Sequence, residues 1–202
     1  MILSNEKVGL VIQARMGSTR LPEKVLMDLC GKPLLLHIIY IIRSLDENYM
    51  VIIATTTLPK DDAIKTFCDM YKILCFRGSE KDVLDRYYKT ALTFNLDHIV
   101  RLTGDNPLID GENLQHLIDE HLKNNADYSS NKSEVDSGLP EGVGAEIFTF
   151  YALERSWREG KKDYHREHVD EYILENMGEF NVLRVEAKEK VPYKNIRLTV
   201  DT

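Results

Sequence analysis

The chain has 202 residues, which is enough for one globular domain with a sizeable core. Hydrophobic residues make up 43% of it and charged residues 29%, values that fit a soluble, cored domain and exclude a disordered or fibrous chain. The formal net charge of −7 argues against a protein that coats DNA or RNA.

Cysteine usage and hydropathy predict the compartment. Three cysteines (Cys30, Cys68 and Cys75) are too few and too unevenly spaced for a disulfide framework, so we expect reduced thiols and a cytoplasmic protein. The opening residues MILSNEKV lack the basic and apolar regions of a signal peptide. The longest apolar run, residues 34–42, is far shorter than the ~20 residues of a membrane span, so no membrane partner is expected.

The first 123 residues alternate between two patterns. Short apolar runs predict strands at residues 8–12, 50–54, 73–76 and 98–102. Helical patterns follow each of them, at residues 33–45, 61–70, 82–94 and 111–123. This alternation predicts an α/β fold with a mostly parallel sheet and helices on both faces.

The pattern changes after residue 124. Residues 128–138 are polar and rich in turn formers, residues 145–150 alternate like a strand, and residues 164–176 predict one amphipathic helix. Strands are also expected at 181–186 and 196–200. No segment is long enough to be a linker, so we expect a single domain over residues 1–202. An inserted β arm at 128–150 is expected to serve dimerisation or acceptor binding.

The segment ARMGSTRLPEK, residues 14–24, directly follows the first predicted strand. In open parallel sheets, ligands bind beyond the carboxyl ends of strands. Small residues here allow a ligand to come close to the backbone and offer amide and hydroxyl donors (Gly17, Ser18 and Thr19). Three cations surround them (Arg15, Arg20 and Lys24). Backbone amides with fixed cations predict a polyphosphate site. The spacing is not that of a Walker loop, and the alternative is a solvated basic turn.

A second candidate segment, residues 103–107 (TGDNP), follows the fourth predicted strand. Asp105 is presented there on a turn bounded by glycine and proline. Carboxylate oxygens together with phosphates suit Mg²⁺, and Asp201 in the terminal LTVDT is a candidate second ligand. The alternative is that these aspartates only cap helices or stabilise turns.

Six segments together carry a family resemblance. GxVIQARMGSTRLPEKVL…GKPLLLH, ATTT (54–57), FRGSEKDVLDRY (76–87), RLTGDNPLID (101–110), REHVDEYI (166–173) and RLTVDT (197–202) resemble the cytidylyltransferase family. That family includes spore-coat polysaccharide cytidylyltransferases and the CMP-sialate and CMP-Kdo synthetases. The resemblance implies a Rossmann-like fold of the nucleotide-diphospho-sugar transferase type. It also implies transfer of CMP from CTP to a sugar, with a sugar acid favoured, and release of pyrophosphate for cell-surface or spore-coat polysaccharide synthesis.

The resemblance also implies roles for individual residues. Three are expected to be catalytic (Arg15, Lys24 and Asp105), and Mg²⁺ is expected on Asp105 and Asp201. The expected nucleotide-binding set comprises Ala14, Arg15, Met16, Gly17, Ser18, Thr19, Arg20, Lys24, Thr55, Thr56, Arg77, Gly78, Ser79, Asp82, Thr103 and Gly104. Acceptor binding is assigned to Glu141, Glu146, His165 and Arg166, although a solvated charged helix explains the last two equally well. Asp82 and Arg86 read either as a helix cap with a surface ion pair or as walls of the pocket.

Several alternatives stay open from the sequence alone. One is a sugar-1-phosphate nucleotidyltransferase that uses another nucleoside triphosphate, and another is a non-catalytic nucleotide-binding subunit. A glycosyltransferase is less well matched because Asp105 does not belong to a D-x-D motif.

The family also implies a homodimer. The sequence stops one residue after Asp201, so that ligand is expected to be loosely held.

Overall fold

The apolar runs form a seven-stranded, mostly parallel sheet in the computed structural model, which describes residues 6–18, 20–189 and 196–200. The strands are β1 (Val8–Gln13), β2 (Asp28–Leu29), β3 (Lys32–Pro33), β4 (Met50–Thr56), β5 (Leu74–Gly78), β6 (His98–Thr103), β7 (Tyr128–Ser130), β8 (Glu146–Thr149) and β9 (Val182–Arg184). The helices are α1 (Leu34–Arg43), α2 (Asp62–Tyr71), α3 (Val83–Phe94), α4 (Gly111–Lys123), α5 (Phe150–Glu159), α6 (Asp163–Glu167) and α7 (Glu171–Glu175). Strands β2 and β3 form a separate short hairpin.

The order of strands in the sheet is β5-β4-β1-β6-β8-β7-β9. Leu10 of β1 lies opposite Val51 of β4 on one side and Val100 of β6 on the other, and both pairings are parallel. The chain therefore moves outward from β1 to β5 and then returns to the other side of β1. This reversal brings the carboxyl ends of β1 and β6 together at a topological switch point, where open α/β sheets bind ligands.

Helices cover both faces of the sheet, as the alternation predicted. Leu10 and Ile12 point to one face, where α1, α2 and α4 pack over them. Val11 points to the other face, beneath α3, α5 and α7. All three side chains are fully buried, so β1 is the central strand of a three-layered core. Within the described ranges, no helix is both long and apolar enough to cross a bilayer.

The second half of the chain contains two elements that the sequence did not predict. Residues 128–138 contain a strand, β7, which is buried between β8 and β9. Helix α5 was also not predicted, although Thr149 caps it by accepting a hydrogen bond from the Ala152 amide at 3.1 Å. Residues 128–150 thus supply two strands to the main sheet, and the expected dimerisation role of an inserted arm stays a prediction.

The prediction of one helix over residues 164–176 is wrong. Two short helices, α6 and α7, are separated at His168, whose backbone is extended (φ −110°, ψ 111°). The break lets Val169 enter the core beneath α3 and α5 and lets Asp170 approach Arg101 at 3.7 Å. The expected strand at 196–200 is reduced to one isolated bridge between Arg197 and Glu141.

Candidate functional site

The loop that follows β1 is held in place by a buried carboxylate. Asp61 is fully buried and accepts hydrogen bonds from the Met16 amide, at 2.7 Å, and from the Thr56 hydroxyl. The amides of Ser18 and Glu23 both donate to the Met16 carbonyl at 3.0 Å, so the loop folds back on itself. The sequence does not single out Asp61, because nothing in its local pattern reveals that it is buried against a distant loop.

Close contact between the β1 and β6 loops brings Lys24 and Asp105 together. The Gly104 amide donates to the Gln13 carbonyl at 2.9 Å, and a Cβ at Gly104 would lie only 3.0 Å from that oxygen. Glycine therefore permits an approach that other residues would obstruct. Lys24 Nζ lies 2.8 Å from Asp105 Oδ2 and also donates to the Val200 carbonyl at 2.8 Å.

A cationic cavity of about 530 Å³ opens at the carboxyl ends of β1 and β6. Six cations face it (Arg15, Arg20, Lys24, Lys81, Arg86 and Arg101), against three carboxylates (Glu80, Asp105 and Glu167). The whole chain carries a net charge of −7, so the excess of positive charge is local to this cavity. It favours an anionic ligand there. Arg15, Arg20 and Lys24 were expected here from the sequence and Arg86 was a possible wall of the pocket, whereas Lys81 and Arg101 were not expected.

A smaller cavity of about 230 Å³ adjoins the cationic one, and Arg101, Thr103 and Asp105 line both. Two of the residues expected to bind the acceptor, Glu141 and Glu146, line the smaller cavity. Asp105 thus stands at the junction of two cavities, an arrangement suited to a reaction between two substrates.

Four charged side chains form a largely buried cluster at the smaller cavity, with Lys132 the most exposed of them. Arg101 Nη1 lies 2.6 Å from Glu146 Oε2, Lys132 Nζ lies 3.0 Å from Glu146 Oε1, and Asp170 lies 3.7 Å from Arg101. Burial raises the pKa of Glu146, but the charges of Arg101 and Lys132 outweigh burial and hold it well below its usual range. Burial and the neighbouring Glu146 carboxylate raise the pKa of Asp170 to about 7.

Replacing Asp170 with Asn should remove a pH dependence of stability. The pKa of Asp170 is about 7 in the folded chain, against about 3.9 for an unfolded one, so folding favours its protonated form. Its effect on stability is therefore neutral near pH 4 and becomes unfavourable as the pH rises to 7. We expect Asp170→Asn to raise the free energy of unfolding by roughly 2–4 kcal/mol at pH 8 and to change it little at pH 4.5.

Urea denaturation at both pH values measures this difference. Asp163→Asn is the matched control, because Asp163 is an exposed carboxylate in the first turn of α6 and should give the same small change at both pH values. A gain for Asp170→Asn that is equal at pH 4.5 and pH 8 would contradict the shifted titration.

Five residues of the expected nucleotide-binding set organise the ends of β4 and β5 and do not line either cavity: Thr55, Thr56, Arg77, Gly78 and Ser79. Arg77 donates to the carbonyls of Thr56, at 2.8 Å, and Leu58, at 3.0 Å, so its guanidinium clamps the end of β4. Ser79 Oγ accepts a hydrogen bond from the Asp82 amide at 3.0 Å.

The residues assigned to the acceptor on α6 make structural contacts instead. Arg166 Nη2 lies 2.7 Å from Asp82 Oδ2, and Asp82 also caps α3 through the Asp85 amide at 2.8 Å. His165 is buried, and its Nε2 lies 3.0 Å from Glu175. The structure therefore does not bring His165, Arg166 or Asp82 to either cavity. The next two residues of the same motif, Glu167 and His168, line the cationic cavity.

The metal prediction rests on one described carboxylate. Asp201 lies outside the described residues, as does Thr19 of the expected nucleotide-binding set. The described ranges contain no group of three or more His, Cys, Asp or Glu side chains arranged to hold an ion. The Val200 amide donates to the Asp105 carbonyl at 2.9 Å, so the chain leading to Asp201 runs beside Asp105. One carboxylate with phosphate oxygens is a donor set that fits Mg²⁺.

Comparison with known proteins agrees with this architecture. The uncharacterized protein MJ1063 of Methanocaldococcus jannaschii is 44% identical over 195 residues, which cover 95% of this chain and 77% of that protein. The spore coat polysaccharide biosynthesis protein SpsF of Bacillus subtilis is 35% identical over 197 residues, covering 95% of this chain and 80% of SpsF. The solved structure of a cytidylyltransferase from Leptospira borgpetersenii superposes with a TM-score of 0.89 at 34% identity, covering 98% of this chain and 82% of that one. The model of the family described as cytidylyltransferase matches residues 10–199, and the chain belongs to this family.

Proposed function

We propose that the protein transfers CMP from CTP to a hydroxyl group of a sugar and releases pyrophosphate. The observation that carries this proposal is the Lys24–Asp105 pair at the junction of a cationic cavity and a smaller polar one. Two adjoining cavities provide separate places for a nucleotide and an acceptor. Membership of the cytidylyltransferase family supports nucleotidyl transfer, and the similarity to SpsF supports a place in polysaccharide biosynthesis.

The nucleotide would occupy the cationic cavity with its triphosphate on the β1 loop. Transfer at phosphorus depends on positioning and on neutralising charge, which fixed cations supply. Arg15 and Lys24 would neutralise the α-phosphate and the departing pyrophosphate, while Arg20 would bind the outer phosphates. Asp105, with Asp201 as the second ligand implied by the family, would hold Mg²⁺, which polarises phosphoryl oxygens when bound.

The acceptor would occupy the smaller cavity. Glu141 offers acceptors for sugar hydroxyls, and Lys132 is a partly exposed cation that a sugar carboxylate could reach. A sugar acid therefore remains the acceptor that we propose. The homodimer that the family implies stays a prediction.

A substrate screen tests this function. The purified protein is incubated with Mg²⁺, each of CTP, UTP, ATP and GTP, and a panel of sugar acids, neutral sugars and sugar 1-phosphates, and pyrophosphate and nucleotide sugars are measured. We expect product only with CTP and a sugar acid. Asp105→Asn should reduce turnover while preserving the fold, because this carboxylate is 30% exposed. Asp163→Asn, with its carboxylate on the surface of α6, should retain full activity.

Other outcomes of the screen favour the alternatives. Product from a sugar 1-phosphate and another nucleoside triphosphate would identify a sugar-1-phosphate nucleotidyltransferase. Nucleotide binding without any product would favour a non-catalytic nucleotide-binding subunit. Unchanged turnover in Asp105→Asn would refute the role given to Asp105.

A further inference from the structure

Arg86, in the first turn of α3, is a buried cation without a carboxylate partner in the described chain. The residue is 3% exposed. Its Nη1 donates to the Ser79 carbonyl, while its buried Nε has no hydrogen-bond partner among the described residues. The surface ion pair considered for Arg86 in the sequence is not formed, because Asp82 pairs with Arg166 instead.

Other buried cations of the site are neutralised, which makes Arg86 an exception. Lys24 has Asp105 at 2.8 Å, and Arg101 has Glu146 at 2.6 Å. Burial lowers the pKa of Arg86, and the charges of Arg15 and Arg101 add to this. Tyr87 and the Asp61 carboxylate act on that pKa in the opposite direction, without forming an ion pair with Arg86 in the described part of the chain. A buried guanidinium without a counter-charge is unfavourable unless something else supplies the negative charge.

The unpaired charge of Arg86 lies at the cationic cavity, where the nucleotide is proposed to bind. Arg86 lines that cavity with Arg15 and Lys24. Gly78 permits this placement, since a Cβ there would lie 3.1 Å from Arg86 Cγ. The side chain is thus packed at its stem and held at one nitrogen by the Ser79 carbonyl, which leaves Nε without a protein acceptor.

We propose that Arg86 binds a phosphate group of the nucleotide and donates hydrogen bonds to its oxygens from the part of the guanidinium that lines the cavity. This inference rests on the proposed function. A guanidinium presents two parallel donors that match phosphate oxygens, and the anion supplies the missing counter-charge. The neutral cytosine ring would leave the charge unmatched, so we assign Arg86 to the phosphates.

Binding measurements on Arg86→Gln and Arg86→Lys test this assignment. Isothermal titration with CTP, pyrophosphate and cytidine separates phosphate from base recognition. We expect Arg86→Gln to weaken binding of CTP and pyrophosphate by roughly 10- to 100-fold and to leave cytidine binding unchanged. Arg86→Lys should recover part of the loss because it restores the charge without the two-pronged geometry. Arg158→Gln, with its guanidinium 64% exposed on α5, is the matched control and should bind like the unaltered protein.

Thermal unfolding without ligand distinguishes a binding residue from a structural one. If Arg86 serves the nucleotide, Arg86→Gln should unfold at the same or a higher temperature than the unaltered protein, since the substitution removes an unmatched buried charge. A lower unfolding temperature, or failure to fold, with pyrophosphate affinity retained in Arg86→Lys would show a structural role and overturn the proposal. Equal weakening of cytidine would also overturn it.

The same titrations separate this inference from the proposed function. Pyrophosphate binding that depends on Arg86, without CTP binding by the unaltered protein, would uphold the anion site and refute cytidylyl transfer. CTP binding and turnover that survive in Arg86→Gln would leave the proposed function intact and refute the role of Arg86. An unaltered protein that binds neither ligand would overturn both.

Discussion

Glu146→Gln is expected to lower the free energy of unfolding by about 3–5 kcal/mol. The Glu146 carboxylate is 2% exposed and lies 2.6 Å from Arg101 and 3.0 Å from Lys132. Glutamine has nearly the same shape but no charge, so two largely buried cations lose their main counter-charge. Removing one partner of a buried ion pair is far more destabilising than removing an exposed one, because the remaining charge is not solvated.

The destabilisation caused by Glu146→Gln should depend on pH because of Asp170. Asp170 lies 3.7 Å from Arg101 and 3.8 Å from Lys132, and its raised pKa partly reflects the negative charge of Glu146. Without that charge, the two cations favour ionisation of Asp170, which then supplies one replacement charge. The destabilisation by Glu146→Gln should therefore be larger at pH 5 than at pH 8.

Urea denaturation followed by circular dichroism at both pH values measures these effects. Glu141→Gln is the matched control, because the Glu141 side chain is 50% exposed and its partner Arg197 is 51% exposed at 3.1 Å. Exposed pairs of this kind contribute about 0–1 kcal/mol. Similar losses in the two variants would show that Glu146 does not stabilise the charged cluster.

The first half of the fold could be predicted because its signals are local. Strands β1, β4 and β6 are runs of apolar residues, and the helices between them bury apolar residues at helical spacing. Strand β7, in contrast, is stabilised by its neighbours in the sheet and not by its own sequence. Its sequence, YSS, has no strand pattern, and it forms because β8 and β9 pair with it from either side.

The same distinction applies to the site. Lys24 and Asp105 lie 81 positions apart, yet the rule that strand ends meet at one edge of a parallel sheet was sufficient to place them together. No such rule relates Asp61 to Met16 or Glu146 to Arg101, since those pairs depend on how loops and antiparallel strands pack.

The segment REHV, residues 166–169, shows that the position of a helix end decides which side chains line the cavity. A continuous helix would keep residues 165 and 168 on the same face. The extended backbone at His168 ends α6 and leaves Glu167 and His168 lining the cavity, while His165 and Arg166 contact Glu175 and Asp82. Helical periodicity alone could not indicate where the helix ends.

Lys24→Met is expected to reduce turnover by roughly 10²–10³-fold with little loss of stability. Lys24 reaches the junction of the two cavities from a buried position, where a fixed cation is most effective because little water screens it. Methionine retains the apolar stem, and Asp105, at 30% exposed, can be solvated when its partner is lost. We therefore expect the free energy of unfolding to fall by only about 1 kcal/mol.

Steady-state kinetics with CTP and the acceptor identified in the screen test this prediction, with Lys123→Met as the control, since that side chain is 71% exposed on α4. The loss should appear mainly in kcat, because a cation that stabilises charge developing on the phosphates acts most strongly in the transition state. Lys24→Arg retains the charge, but its planar guanidinium cannot reproduce the contacts of one ammonium with both Asp105 and the Val200 carbonyl, so we expect partial recovery. If Lys24→Met kept its turnover but lost stability, the pair with Asp105 would be a structural bridge between the β1 and β6 loops, and catalysis would have to rely on the other cations of the cavity.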